Sequence, residues 1–301
     1  MRVWFGCVGL GVLMGAAQAA PLDVPFDFSR SEIALTVSVK GTPLTVLLDT
    51  GVDPSVIDLA RAESLHLPLD KKDAGEVAGQ GSAKSAVAYP STITGLVIGG
   101  RSFKPVEALA NDLGALSAHY GAKLDGVLGY SFLKDQTLLV DYAKSRVTFF
   151  DNPGQVRSYV KTCKKNWSIP LKDFEDDATP AVPFRFGTAE GLISLDTGSS
   201  GTMTLYPDTL KLDGVKAALV ENGVSHGAGA RGTTTAKSYA LNLPVGVGPF
   251  SSPPGQTVVL HENKGFSDPR VANVGNKFFA NLGLKILFDY RGKTLSFYGG
   301  C

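Results

Sequence analysis

The chain repeats itself, and that limits its folds more than any other feature. Asp49-Thr50-Gly51 returns as Asp196-Thr197-Gly198, an offset of 147 residues (49 to 196). GQG at 79–81 matches GAG at 227–229, offset by 148. VLGYSFL, with Gly129, matches NVGNKFF, with Gly275, at 146; LLVDYAKSRVTFF aligns with ILFDYRGKTLSFY, Asp141 on Asp289, at 148. Four matches in one order at a nearly constant offset make the chain two copies of one unit. The join falls at the turn-rich DNPGQ, 151–155. We therefore expect an N-terminal lobe over 21–155 and a C-terminal lobe over 156–301.

Each copy has the pattern of a β unit. EIALTVSVKGTPLTVLLD alternates, turns at Gly41 and ends in an apolar run, and AVPFRFGTAEGLISLD repeats that shape. The two later matching segments each give a strand, a polar turn and a strand. Helical signal is confined to 54–65, part of 106–119 and short pieces around 207–219. The expectation is an all-β protein of two pseudo-symmetric, barrel-like lobes around a central cleft, with few short helices. A composition of 44% hydrophobic and 19% charged residues, with 35 Gly and 17 Pro, supports a packed core with many turns.

Residues 1–20 are set aside from the fold. Arg2, an apolar stretch over 3–16 and the small-x-small Ala17-Gln18-Ala19 read as a signal peptide cleaved after Ala19 or Ala20. An uncleaved anchor helix is the alternative. Removal lowers the formal net charge from +1 to 0, because the segment holds one Arg and no acid. A secreted or periplasmic location follows. No other segment has the length and apolarity to span a bilayer, and no basic tract suggests nucleic acid. With Cys7 in the signal, Cys163 and Cys301 form an even pair in an oxidising compartment and are expected as one disulfide; two free thiols are the alternative.

The chemistry lies in the doubled tripeptide. One Asp-Thr-Gly after a strand is an ordinary turn, with Asp accepting backbone N–H bonds and Gly supplying an unusual conformation. Two, at matching places in an internal repeat, bring two carboxylates face to face across a pseudo-twofold axis. Facing carboxylates cannot both ionise cheaply, so Asp49 and Asp196 would hold one proton between them over an acidic range. The ionised partner can take a proton from water while the protonated one donates to a carbonyl oxygen. Thr50 and Thr197 can bond across the axis, and Gly51 and Gly198 keep side chains out of the way of substrate.

On these residues the chain resembles the aspartic peptidases of the pepsin and retropepsin group. LLDTG and SLDTG carry the hydrophobic-hydrophobic-Asp-Thr-Gly motif, and GVLG (126–129) and ANVG (272–275) carry the later apolar-Gly element. The resemblance implies an endopeptidase with Asp49 and Asp196 as its dyad and Thr50, Gly51, Thr197, Gly198 and Ser199 supporting it. It implies a peptide or protein substrate between the lobes, no cofactor, and a monomer sufficient for the dyad.

This sequence departs from the pattern in several places. Val52 stands where pepsins place a hydroxyl, so the first carboxylate lacks one donor, and a less acidic optimum than pepsin's is expected. Ser194 softens the second motif, and Asn273 replaces an apolar residue. The first candidate flap, around Gly79 and Gly81, has no tyrosine near its tip; the equivalent hairpin carries Gly227 and Gly229, and either can close over substrate. About ten residues separate the cleavage site from the first strand, leaving no room for a pepsin-type pro-segment.

Other motifs lack their contexts. GAGARG at 227–232 opens no helix, which argues against a dinucleotide site. His66, His119, His226 and His261 show no metal-ligand spacing, so no metal is expected. Ser131 and Ser200 lie in no G-x-S-x-G elbow. The rival function is a non-catalytic peptide-binding or scaffolding protein on the same bilobal fold. Retention of both Asp, both Thr and both Gly favours catalysis.

Overall fold

The computed structural model describes residues 20–76, 86–174, 177–229, 231–261 and 269–301; at 172–174 and 177–178 only the backbone is described. Residues 1–19 of the expected signal peptide (1–20) and the candidate flap glycines Gly79 and Gly81 lie outside the described residues.

The repeat is realised strand for strand. In the first half, one sheet runs in the order Gly75–Glu76, Val87–Ile93, Val106–Asn111, Ser55–Asp58, Gly126–Leu128, Thr42–Leu48, Ala34–Val39, Leu96–Ile98, Arg101–Ser102. In the second half the order is Leu219–Gly229, Gly232–Leu241, Gln256–Leu260, Met203–Leu205, Arg270–Val274, Ala189–Leu195, Asp177–Phe186, Val245–Val247, Phe250–Ser252. Each strand of the first sheet has its counterpart at the same place in the second, which adds only Lys172–Phe174, paired with Asp177–Phe186. The fold is all-β, as expected.

Local sequence explains the central strands. Ala34–Val39 alternates, with Leu35, Val37 and Val39 buried and Thr36 exposed. Thr42–Leu48 alternates at first but ends in a buried run, Val46-Leu47-Leu48. There it is flanked by Gly126–Leu128, in parallel, and by Ala34–Val39. Its two faces are also covered, Val46 and Leu48 packing in the main core and Leu47 in a second cluster, so it has no reason to keep a polar side. Gly41, at φ +82°, makes the tight turn between these two strands.

A third, six-stranded sheet joins the halves. Its two middle strands, Thr137–Asp141 and Lys285–Asp289, pair antiparallel, with Leu139 opposite Leu287. Those leucines are equivalent by the 148-residue offset, so the pseudo-twofold axis passes between them. Thr137 donates to Asp289 across this seam at 2.6 Å, and Lys285 meets Asp141 at 3.0 Å.

The expected disulfide is present: Cys163 and Cys301 are bonded across 138 residues of sequence. It closes the end of a ladder already formed by Lys165–Pro170 and Thr294–Gly299, where Lys165 faces Gly299. A loop of that length corresponds to about 5 kcal/mol in the chain-entropy account of cross-links.

The helical expectations need correction. Residues 55–58 form a strand in the sheet, and the helix begins only at Leu59, capped by the Asp58 side chain on Arg61 N–H. The expected helix within 106–119 is present at Gly114–Tyr120, while 106–111 are strand. Pairing in a sheet outweighed the weak helical period of both segments. Helices at Tyr130–Leu133, Val156–Val160 and Asn276–Asn281 were not anticipated, being too short for a periodic signal.

Candidate active site

Each Asp-Thr-Gly sits where a central strand ends. Asp49 follows Thr42–Leu48 and its N–H donates to Leu128 O at 3.0 Å; Asp196 follows Ala189–Leu195 and its N–H donates to Val274 O at 3.0 Å. Each turn then folds back on its own carboxylate. Gly51 N–H donates to Asp49 Oδ1 at 2.7 Å, and Gly198 N–H to Asp196 Oδ1 at 2.9 Å.

The threonines lock the two turns together. Thr50 N–H donates to Thr197 Oγ1 at 3.0 Å, and Thr197 N–H donates to Thr50 Oγ1 at 3.1 Å. Each hydroxyl passes its own proton to the opposite strand, Thr50 to Leu195 O at 2.8 Å and Thr197 to Leu48 O at 2.7 Å. Both side chains are buried at 2% exposure, so all four bonds are sheltered from water.

The glycines do more than clear a path for substrate. A Cβ on Gly51 would stand 2.8 Å from the carboxyl carbon of Asp196, and one on Gly198 would overlap the Asp49 carboxylate. Their missing side chains are what let the carboxylates approach.

Gly129 and Gly275 press against the residue after each tripeptide. A Cβ on Gly129 would meet Val52 O, and one on Gly275 would meet Ser199 O. The next N–H groups, of Tyr130 and Asn276, donate to those same carbonyls at 2.9 Å. Val52 packs against a satellite cluster of Ala34, Leu47, Tyr120, Leu124 and Val127. Ser131, excluded above as a nucleophile, is structural: its hydroxyl accepts from Ser55 N–H at 2.9 Å.

Residues 35–132 match the family model for aspartyl proteases. This match supports an aspartic peptidase of the pepsin and retropepsin group. The second lobe, outside that match, repeats its strand order and its Asp-Thr-Gly turn. No curated protein matches the chain.

The electrostatics suit an aspartyl-protease site. Burial, then the like charge of Asp196, push the Asp49 carboxyl well above the ordinary carboxylate range; N–H bonds from Gly51 and Gly198 offset this in part. Among the described residues, no group of three or more His, Cys, Asp or Glu could hold a metal ion.

The sequence does not show what three residues of this neighbourhood do. Asn273 Nδ2 donates to Asp196 Oδ2 at 2.8 Å, and Ser194 Oγ donates to Asn273 Oδ1 at 2.8 Å. Both had been read as departures that weaken the motif. Their signal was that they fall in register, Ser194 opposite Asn273 in the parallel pair. Glu32 is the third. It is 7% exposed, next to Ser200, and burial raises its pKa despite that hydroxyl and the charges of Lys277 and Arg30.

Of the candidate flaps, Gly227 and Gly229 lie near the tip of the hairpin formed by Leu219–Gly229 and Gly232–Leu241. This hairpin reaches the first lobe and packs beside helix Gly114–Tyr120. Its Val220 and Val224 stand exposed.

Proposed function

We propose that the chain is an aspartic endopeptidase in which Asp49 and Asp196 form one catalytic dyad with water as the nucleophile. The observation that carries this reading is the mutual approach of the two carboxylates, each against the other's glycine, over a reciprocal threonine lock. Two carboxyls so placed share one proton, and their apparent ionisations belong to the pair. One deprotonates the water as its oxygen bonds the scissile carbon; the other protonates the carbonyl oxygen. The resulting gem-diol collapses with C–N cleavage, so no covalent enzyme intermediate forms.

The substrate is an extended peptide or protein segment held between the lobes by backbone hydrogen bonds and apolar pockets. In this reading the long hairpin of the second half, which touches helix Gly114–Tyr120, serves as the cover. One chain supplies both carboxylates, so a monomer suffices. Secretion or a periplasmic location is supported by the disulfide. Among the described residues, no helix is long and apolar enough to cross a membrane.

A mixed peptide library incubated with the mature protein from mildly to strongly acidic pH, read by mass spectrometry, tests this. Internal cleavage abolished by Asp49→Asn and by Asp196→Asn is expected. No cleavage by the unaltered protein at any pH would instead favour a peptide-binding role for the same cleft.

A further inference from the structure

The two halves of the site differ in a facing pair of side chains, one buried and one half-buried in the second half. In the second lobe, neighbouring strands present Ser194 opposite Asn273; at the equivalent register in the first lobe stand Leu47 and Val127. Asn273 Nδ2 lies 2.8 Å from Asp196 Oδ2, and Ser194 Oγ lies 2.8 Å from Asn273 Oδ1. A hydrophobic pair has thus become a relay of donors aimed at one carboxylate. We propose that Asn273, oriented by Ser194, is a positioning residue that makes Asp196 the ionised member of the pair and leaves the shared proton on Asp49. The proposal rests on the reading of the two aspartates as a dyad.

The chemistry is one-sided. An amide NH2 donates and does not titrate, so the Asp196 oxygen facing it can only accept. A fixed donor to the charged form favours that form. With the amide turned over, Asn273 Oδ1 would face a carboxylate oxygen, acceptor against acceptor; the observed orientation satisfies both ends. Asp196 also accepts from Gly198 N–H, and the charged group that acts on it in the pair is Asp49. Beside the loop, beyond Ser200, stand Glu32, Lys277 and Arg30. In the first lobe, Leu47 and Val127 offer Asp49 no such donor. Burial and the neighbouring charge push its carboxyl well up, in agreement.

The roles in the reaction then follow. Asp196 takes a proton from water as the water oxygen bonds the carbonyl carbon, and Asp49 gives its proton to the carbonyl oxygen. On collapse, Asp196 returns its proton to the leaving nitrogen and Asp49 recovers one from the gem-diol. Both carboxyls end as they began, and water is the only co-reactant.

The test is a pH titration of protein labelled with 13C at the aspartate carboxyls. Asp49→Asn and Asp196→Asn assign the two resonances, and kcat/KM is recorded in parallel. Asp196 is expected to ionise first. Restoring the first lobe's apolar pair, Ser194→Leu with Asn273→Val, should raise that midpoint by about one pH unit, a tenfold change in proton affinity. The acid limb of the rate profile should move with it, whereas a purely structural role would lower rates at every pH without moving the limb. Ser194→Thr, which keeps the hydroxyl, should leave the midpoint in place. If the double variant fails to fold, Ser194→Ala should still raise the midpoint by a smaller amount. Ionisation of Asp49 first in the unaltered protein, or a midpoint unmoved in the folded variant tested, overturns the proposal. The resonances report the proton whether or not peptides are cleaved. Cleavage with Asp49 ionising first would sink only the proton assignment, and Asp196 ionising first without cleavage would sink only the peptidase.

Discussion

Thr50→Val removes one oxygen and nothing else of comparable size, so it isolates the lock between the turns. Thr50 Oγ1 accepts from Thr197 N–H at 3.1 Å and donates to Leu195 O at 2.8 Å, and both bonds cross from one half of the chain to the other. Valine strands a buried N–H and a buried carbonyl, each costing about 1–3 kcal/mol. The added methyl group returns at most about 1 kcal/mol. The expected loss is therefore about 1–5 kcal/mol, a large share of a total stability of about 5–15 kcal/mol. Thr50→Ser keeps both bonds and loses one buried methyl, about 1 kcal/mol. Urea unfolding at fixed pH, analysed by linear extrapolation, ranks the three proteins. A valine variant within about 0.5 kcal/mol of the parent, or a serine variant that loses as much as valine, would refute the lock as a source of stability.

Three further outcomes are expected. Gly198→Ala should lower cleavage more than Gly51→Ala, because its methyl overlaps the opposite carboxylate whereas that of Gly51 comes to 2.8 Å; displacement by about 1 Å can cost about 100-fold in kcat/KM, and equal activity of the two variants would contradict the geometry. Glu32 has a folded-state pKa raised by burial, so its stabilising contribution is complete below the unfolded carboxyl value and is lost as pH rises through the raised one. Glu32→Gln should therefore gain on the parent in urea unfolding from acidic to neutral pH; a constant difference would contradict this. Val52→Ser places a hydroxyl three residues after the first carboxylate, and a donor to the charged form lowers its pKa, so with the shared proton on Asp49 the alkaline limb of kcat/KM should move to lower pH; a limb that stays or rises argues against it.

Much of this could be read from the sequence because the fold is written twice. The offsets that matched Asp49 to Asp196 and Asp141 to Asp289 became nine equivalent strands and a two-fold axis between Leu139 and Leu287. The tripeptides pointed to two facing carboxylates and their threonines, since each lies directly after an apolar strand. What stayed hidden depends on register. Ser194 and Asn273 are 79 residues apart and meet only because their strands run parallel side by side. In the sequence they were two polar intrusions into apolar motifs. Residues 55–58 and 106–111 carried a faint helical period and were drawn into the sheet by pairing with each other and their neighbours. Glu32 was unremarkable until the second half placed Ser200 and Lys277 around it.

The proposed chemistry depends most directly on whether Asp49 and Asp196 act as one unit. The measurement is kcat/KM on a cleaved peptide, across pH, for the parent, Asp49→Asn, Asp196→Asn and the double variant. Each single substitution is expected to cost about 100- to 10,000-fold, and the double variant no more than either alone, because a dyad lost once is lost entirely. A single variant that keeps the parent's rate, or losses that multiply in the double variant, would contradict a shared catalytic pair.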